Sequence, residues 1–188
     1  AVFTTDTEGG DGEMLLMPPF KGERLSLSAF TGSPTLNEHF RSSLLLFTDD
    51  TGDILAAELQ RRESAPAPDR GLLIAQEWNP ILGNLSGSFS IRLIQHLAGE
   101  LPASRGVFYA AVQGRTLGNF DVSFDPDSPE QVHIGQLKTK DDRSYYDTWT
   151  SFAARPFRTG SRQKAEPDVE LSNYRIEAEL DAALRLKV

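Results

Sequence analysis

Apolar residues recur at a helical period in one part of this chain and at a strand period in several others. The two periods agree best with the turn residues over residues 84–137, which read as one helix followed by three strands. Phe89, Leu93 and Leu97 fall at i, i+4 and i+8, and Ile91, Ile94 and Ala98 widen that stripe into a face to be buried. Asn84 is a candidate N-cap, Gly87 shifts the start toward Ser88, and Gly99 followed by Pro102 ends the helix. Val107 to Val112 is nearly all apolar, as expected of a strand covered on both faces. Phe120, Val122 and Phe124 then alternate with Asn119, Asp121, Ser123 and Asp125, which predicts a strand with one apolar and one wet face. The run Asp125-Pro126-Asp127-Ser128-Pro129 breaks that strand, and Val132 with Ile134 begins a third that heads toward Leu137.

The flanks extend the pattern. Met14 to Met17 predicts a strand, and Leu25, Leu27 and Ala29, alternating with polar residues, predict another. Ser43 to Phe47 is a further apolar run. It leads into Asp49, Asp50 and Asp53, which either cap a helix carrying Ile54, Leu55, Ala57 and Leu59 or bind a cation; capping is favoured, and Arg61 and Arg62 sit where the helix dipole favours cations. Residues 63–70 form a proline-containing loop, and residues 71–75 a short strand. Residues 145–152 have a strand pattern with aromatics on both faces, for which packing is favoured over ligand stacking. The expected fold is therefore α+β, a mostly antiparallel sheet with two or three helices packed on it.

Composition narrows the function. The 188 residues allow one good-sized core, and a formal net charge of −8 disfavours a nucleic-acid backbone or an anionic membrane as the main partner. No apolar run approaches the roughly 20 residues of a bilayer-spanning helix. The absence of cysteine excludes disulfides, thiolate nucleophiles and cysteine-containing zinc sites. The chain begins at Ala1 instead of Met, as expected of a processed mature form or a fragment.

Searches for reactive constellations return no catalytic, cofactor-binding or metal-ligating set. His39, His96 and His133 are far apart, with no pair at ligand spacing, and Ser86 among glycines is out of register for a nucleophile elbow. Asp6, Glu8, Asp11 and Glu13 around three glycines lack the spacing of a calcium loop.

Residues 169–188, with Tyr174-Arg175-Ile176 leading through Asp181 to Leu184-Arg185-Leu186, resemble the opening strands of the N-terminal β module in M1-family zinc aminopeptidases. Upstream, Ala29-Phe30-Thr31-Gly32-Ser33-Pro34 and Phe47-Thr48-Asp49-Asp50-Thr51 resemble the leader domain that some bacterial M1-like proteins carry ahead of the peptidase. The resemblance implies an accessory domain over residues 1–155, a linker over 156–171 and the first strands of a following module over 172–188. It further implies an exported, extracytoplasmic parent whose downstream catalytic domain would be this domain's partner and would hold the zinc. The motifs of that chemistry, G-A-M-E-N and H-E-x-x-H, are absent here, so no ligand or base role passes to any residue of this chain. The implied function is a non-catalytic accessory domain. The alternative is a stand-alone module binding a carbohydrate, a peptide or an envelope component through the aromatics of residues 145–152, and a hydrolase using Ser86 or the acidic loops stands behind both.

Overall fold

A computed structural model describes residues 12–61, 91–99, 106–163, 172–173, 175, 177–182 and 186–187. Its centre is a six-stranded sheet in which every neighbouring pair is antiparallel and strand order follows chain order. The strands are β1 (Gly12–Leu16), β2 (Leu36–Phe47), β3 (Phe108–Gly114), β4 (Asn119–Phe124), β5 (Val132–Lys140) and β6 (Arg143–Phe152). Among the described residues four short helices accompany it: α1 (Lys21–Thr31), α2 (Thr51–Arg61), α3 (Ile91–Leu97) and α4 (Arg155–Arg158). A separate two-stranded pairing joins β7 (Glu179–Leu180) to β8 (Leu186–Lys187).

The expectation of an α+β fold with two or three helices packed on a sheet is thereby corrected to a sheet-dominated fold. The reason lies in where the apolar area goes. Both hydrophobic clusters are built mainly from strand residues, and α1, α3 and α4 each contribute one buried hydrophobic side chain, Leu27, Leu93 and Phe157 respectively. Burial of apolar area is the main favourable term in folding, so the sheet carries most of it.

The sheet separates two cores. On one face Leu36, Phe40, Val112, Phe120 and Ile134 pack with Trp149 under Leu27 of α1. On the other, Leu44, Tyr109 and Ala111 pack with Val107 under Leu93 of α3. One long strand serves both faces because β2 is irregular between Phe40 and Ser42. The extra residue inverts the alternation, so Phe40 points into the first core and Leu44 into the second. A second irregularity, between Ile134 and Gly135, leaves Trp149 without an opposite partner, and its ring stacks on Phe120 at 5.4 Å and 29°. Strand β3, between β2 and β4, is covered on both faces as its apolar run predicts, with Ala110, Ala111 and Val112 buried.

Two local predictions are revised. Leu25, Leu27 and Ala29 lie on helix α1, not on a strand. The Glu23 carboxylate accepts from the Phe20 amide at 3.0 Å, left-handed Gly32 closes the C-terminus, and only Leu27 turns inward. Helix α3, described from Ile91 on, is less buried than its stripe predicts: Leu93 is enclosed, whereas Ile94 and Leu97 are 51% and 57% exposed. Gly99, with φ of 75°, does end it. Asp49 accepts from the Thr51 amide at 3.0 Å, the capping role predicted for the acidic run. Arg155–Arg158, inside the polar stretch after β6, forms a helical turn with proline in its first turn and Phe157 buried. Ser86, Phe89, the first 11 residues and the segments 63–70 and 71–75 lie outside the described residues. No helix among the described residues is long and apolar enough to cross a membrane.

Candidate functional site

The strand predicted to have a wet side has none at its centre. Asp121 is 1% exposed, on the face of β4 opposite Phe120 and Val122. Its carboxylate accepts a hydrogen bond from the Tyr109 hydroxyl on β3 at 3.2 Å, and another from the Tyr146 hydroxyl on β6. Alternation fixed the chemistry of that face but not its exposure: the two rings, arriving from strands on either side, close over the acid. The expected wet face of Asn119, Asp121, Ser123 and Asp125 thus has a buried hydrogen-bonded triad at its centre, with Asn119, Ser123 and Asp125 half-buried around it.

Burial dominates the triad's electrostatics. It disfavours the charged carboxylate, so Asp121 is pushed up to about 7 even though both tyrosine hydrogen bonds pull the other way. Burial, together with the negative charge of Asp121, drives both tyrosines far above the usual phenol range. Both phenols therefore stay protonated at physiological pH, with their protons directed at Asp121.

Tyr146 reaches Asp121 across an intervening strand because that strand has no side chain in the way. Gly135 on β5 pairs with Asp121 on one side and Thr148 on the other. A methyl group there would lie 2.6 Å from the Tyr146 ring and 2.7 Å from the Asp147 carbonyl oxygen. A glycine inside a strand marks such a close approach. Gly135→Ala is therefore expected to destabilise by about 1–3 kcal/mol, the usual cost of overpacking. Urea unfolding would measure that loss, and the tyrosine near-ultraviolet signal should change with it as the Tyr146 ring is displaced.

Above the triad lies a pocket of about 240 Å³ lined by Leu93, Val107, Tyr109, Ser123, Asp125, Ser128, His133, Tyr146 and Thr148. Cross-strand pairing explains the convergence: Ser123 stands opposite His133, and Tyr109 opposite Ser123. Helix α3 forms one wall, held by its Arg92. Arg92 Nε donates to Asp125 and its terminal nitrogen to Asp127, each at 2.6 Å, while Leu93 sinks into the sheet. Burial opposes the guanidinium charge, but these two carboxylates outweigh it and raise the arginine further. The loop carrying Ser128 is braced from below by buried Gln131, which donates to the Ser128 carbonyl at 2.6 Å and accepts from the Ala154 amide at 3.0 Å.

The other candidates disperse. His39 lies on β2, and His96 on α3 has its Nε2 buried with no hydrogen-bond partner among the described residues. His133 alone reaches the pocket, where its Nε2 is 3.4 Å from the Ser128 hydroxyl. Among the described residues no three of His, Asp and Glu are grouped to hold a metal. Of the aromatic run on β6, Trp149 and Phe152 are core, Tyr145 is exposed and Tyr146 serves the triad. Asp6, Glu8, Asp11, Leu59's side chain and the Tyr174-Arg175-Ile176 strand as a unit fall outside the described residues, and Glu13 lies on β1.

Sequence reasoning missed Tyr109, Ser128, His133, Tyr146 and Thr148 as a set. Two signals pointed toward it: a tyrosine inside the apolar run of β3, whose hydroxyl needs a partner, and a lone glycine inside β5. No protein-family model, no curated protein and no solved structure matches this chain.

Proposed function

We propose that this chain is a non-catalytic binding domain whose ligand site is the pocket between α3 and the β3–β6 face of the sheet. The observation that carries the reading is convergence. Hydroxyl, imidazole and carboxylate groups from β4, the β4–β5 loop, β5 and β6 meet beside apolar Leu93 and Val107 on a rigid sheet. At about 240 Å³ the pocket suits a ligand smaller than the drug-sized compounds held by cavities of roughly 300–1,000 Å³.

The same geometry favours binding over turnover. Both oxygens of Asp121 are engaged by tyrosine hydroxyls, so the acid has no open face toward a substrate proton. The tyrosines are held protonated, and the Ser128–His133 approach of 3.4 Å is longer than the roughly 2.6–3.2 Å at which a base activates a nucleophile. Short matches to the leader domains of M1-like peptidases support a position beside a catalytic module in an exported parent protein. The pocket reading does not depend on them.

A fragment screen by heteronuclear NMR, using a chemically mixed library of small polar compounds, tests the proposal. Hits are expected to perturb Ser123, His133 and Thr148 together and to be weakened by Thr148→Val at the pocket rim. A library in which no compound perturbs that group of resonances overturns it.

A further inference from the structure

Resting on the reading of the pocket as a ligand site, we infer that its ligand class is a small organic ammonium, a short alkylamine or the tip of a lysine side chain.

The argument begins with hydrogen-bond polarity. Tyr109 and Tyr146 both line the pocket and both direct their protons to Asp121. While Asp121 is charged, their oxygens can only accept from a ligand that reaches them. Asp125 is likewise an acceptor. The hydroxyls of Ser123 and Thr148 have no partner among the described residues and can orient as acceptors too. An alcohol or sugar brings as many acceptors as donors and would leave some of its own oxygens facing acceptors. An ammonium brings donors only, three of them, and leaves no such mismatch.

Charge selects in the same direction. Among the described residues, no lysine or arginine lines the pocket. The guanidinium of Arg92, on the helix that walls the pocket, already faces two carboxylates, Asp125 and Asp127. Two carboxylates thus face one arginine, and Asp121 beneath the floor adds a third when it is ionised; among the described lining residues only His133 could carry a positive charge. An anion would meet uncompensated repulsion; a cation is attracted and can also lie against the tyrosine faces. The side chains of Leu93 and Val107 offer an apolar wall for a short alkyl chain.

The test uses the whole chain and four probes at matched concentration: n-butylammonium, n-butanol, butyrate and Nα-acetyl-lysine amide, each titrated while the NMR signals of Ser123, His133 and Thr148 are followed. The ammonium probes are expected to bind at least about tenfold more tightly than butanol or butyrate, a difference of about 1.4 kcal/mol. Preference for butylammonium would point to a free amine, preference for the blocked lysine to a protein side chain, and either supports the inference. Thr148→Val and Ser123→Ala should each weaken ammonium binding severalfold while leaving the unfolding midpoint near that of the parent. Butanol or butyrate binding as tightly as the amines overturns the ammonium inference and leaves the pocket standing as a ligand site. If none of the four probes moves these signals while other fragments do, the inference again fails alone; if nothing at all moves them, both readings fail.

Discussion

From about pH 4 to about pH 7 the buried Asp121 is expected to cost the folded protein stability, and Asp121→Asn should remove that loss. Unfolded, the Asp121 carboxyl releases its proton near 3.8; folded, it holds the proton up to about 7. Between those values the folded state binds more protons than the unfolded one, so raising the pH favours unfolding. The contribution is complete below 3.8 and is lost as the pH climbs through about 7. At about 1.4 kcal/mol per pH unit, the gap corresponds to about 4 kcal/mol as an upper scale. Asparagine keeps the size of the neutral acid and cannot ionise. Urea unfolding of both proteins across the window gives the answer as a difference, in which His39, His96 and His133 cancel because both proteins carry them. Parallel curves would mean that Asp121 is not the buried acid described.

The hydrogen-bond geometry explains why this acid is poised instead of permanently charged or permanently neutral. As a carboxylate it accepts from both tyrosines, an arrangement that offsets part of the cost of burying the charge. When protonated, it donates through one oxygen, and the tyrosine on that side must turn its own proton elsewhere. Two partly satisfactory states thus compete. The ligand inference bears on that competition, since a cation set against the tyrosine oxygens would favour the charged state.

How much of this was legible in the sequence depends on which physical signal each feature leaves. The meander β3–β4–β5 was legible because Val107–Val112, Phe120–Phe124 and Val132–Ile134 carry strand periodicity between strong turn residues. Helix α1 was misread because Leu25, Leu27 and Ala29 alternate by chance in a segment whose helical signals, Glu23 near its start and Gly32 after its end, are local and sparse. The sharing of β2 between two cores depends on one extra residue at Arg41, which leaves no mark in a hydropathy pattern. Asp121 shows the deeper limit. Alternation established that Asn119, Asp121, Ser123 and Asp125 share a face, which the pocket bears out for Ser123 and Asp125. Whether that face meets water depends on Tyr109 and Tyr146, brought to it by three successive pairings across four strands, and sequence distance conceals that pairing.

Glu38→Ala is the second large expected effect, about 3 kcal/mol of lost stability. Glu38 is 2% exposed on β2, and its side chain fills the inside of the turn between β3 and β4. One carboxylate oxygen accepts from the amides of Thr116 at 2.6 Å and Leu117 at 3.1 Å, while the Thr116 hydroxyl donates to the other. Burial alone would raise this acid, but those bonds, with a further contribution from the Arg115 amide, hold it below its ordinary 4.5. The sign is thus opposite to that of Asp121: Glu38 contributes stability above about 4.5, and the contribution is lost as the pH falls through its lowered folded value. Alanine leaves two backbone amides and a hydroxyl around an empty space, at roughly 1–3 kcal/mol for each donor that water does not reach; the exposed side of the turn lets water reach some of them. Glutamine should cost less, about 1–2 kcal/mol, because its carbonyl can accept from the amides while the Thr116 hydroxyl reverses to accept from its NH₂ group. Amide hydrogen exchange adds a local readout. The Thr116 and Leu117 amides should lose protection in Glu38→Ala before the centre of β3 does, so a variant that unfolded at the parent's midpoint with those amides still protected would show that the carboxylate is not what fastens the β3–β4 turn to β2.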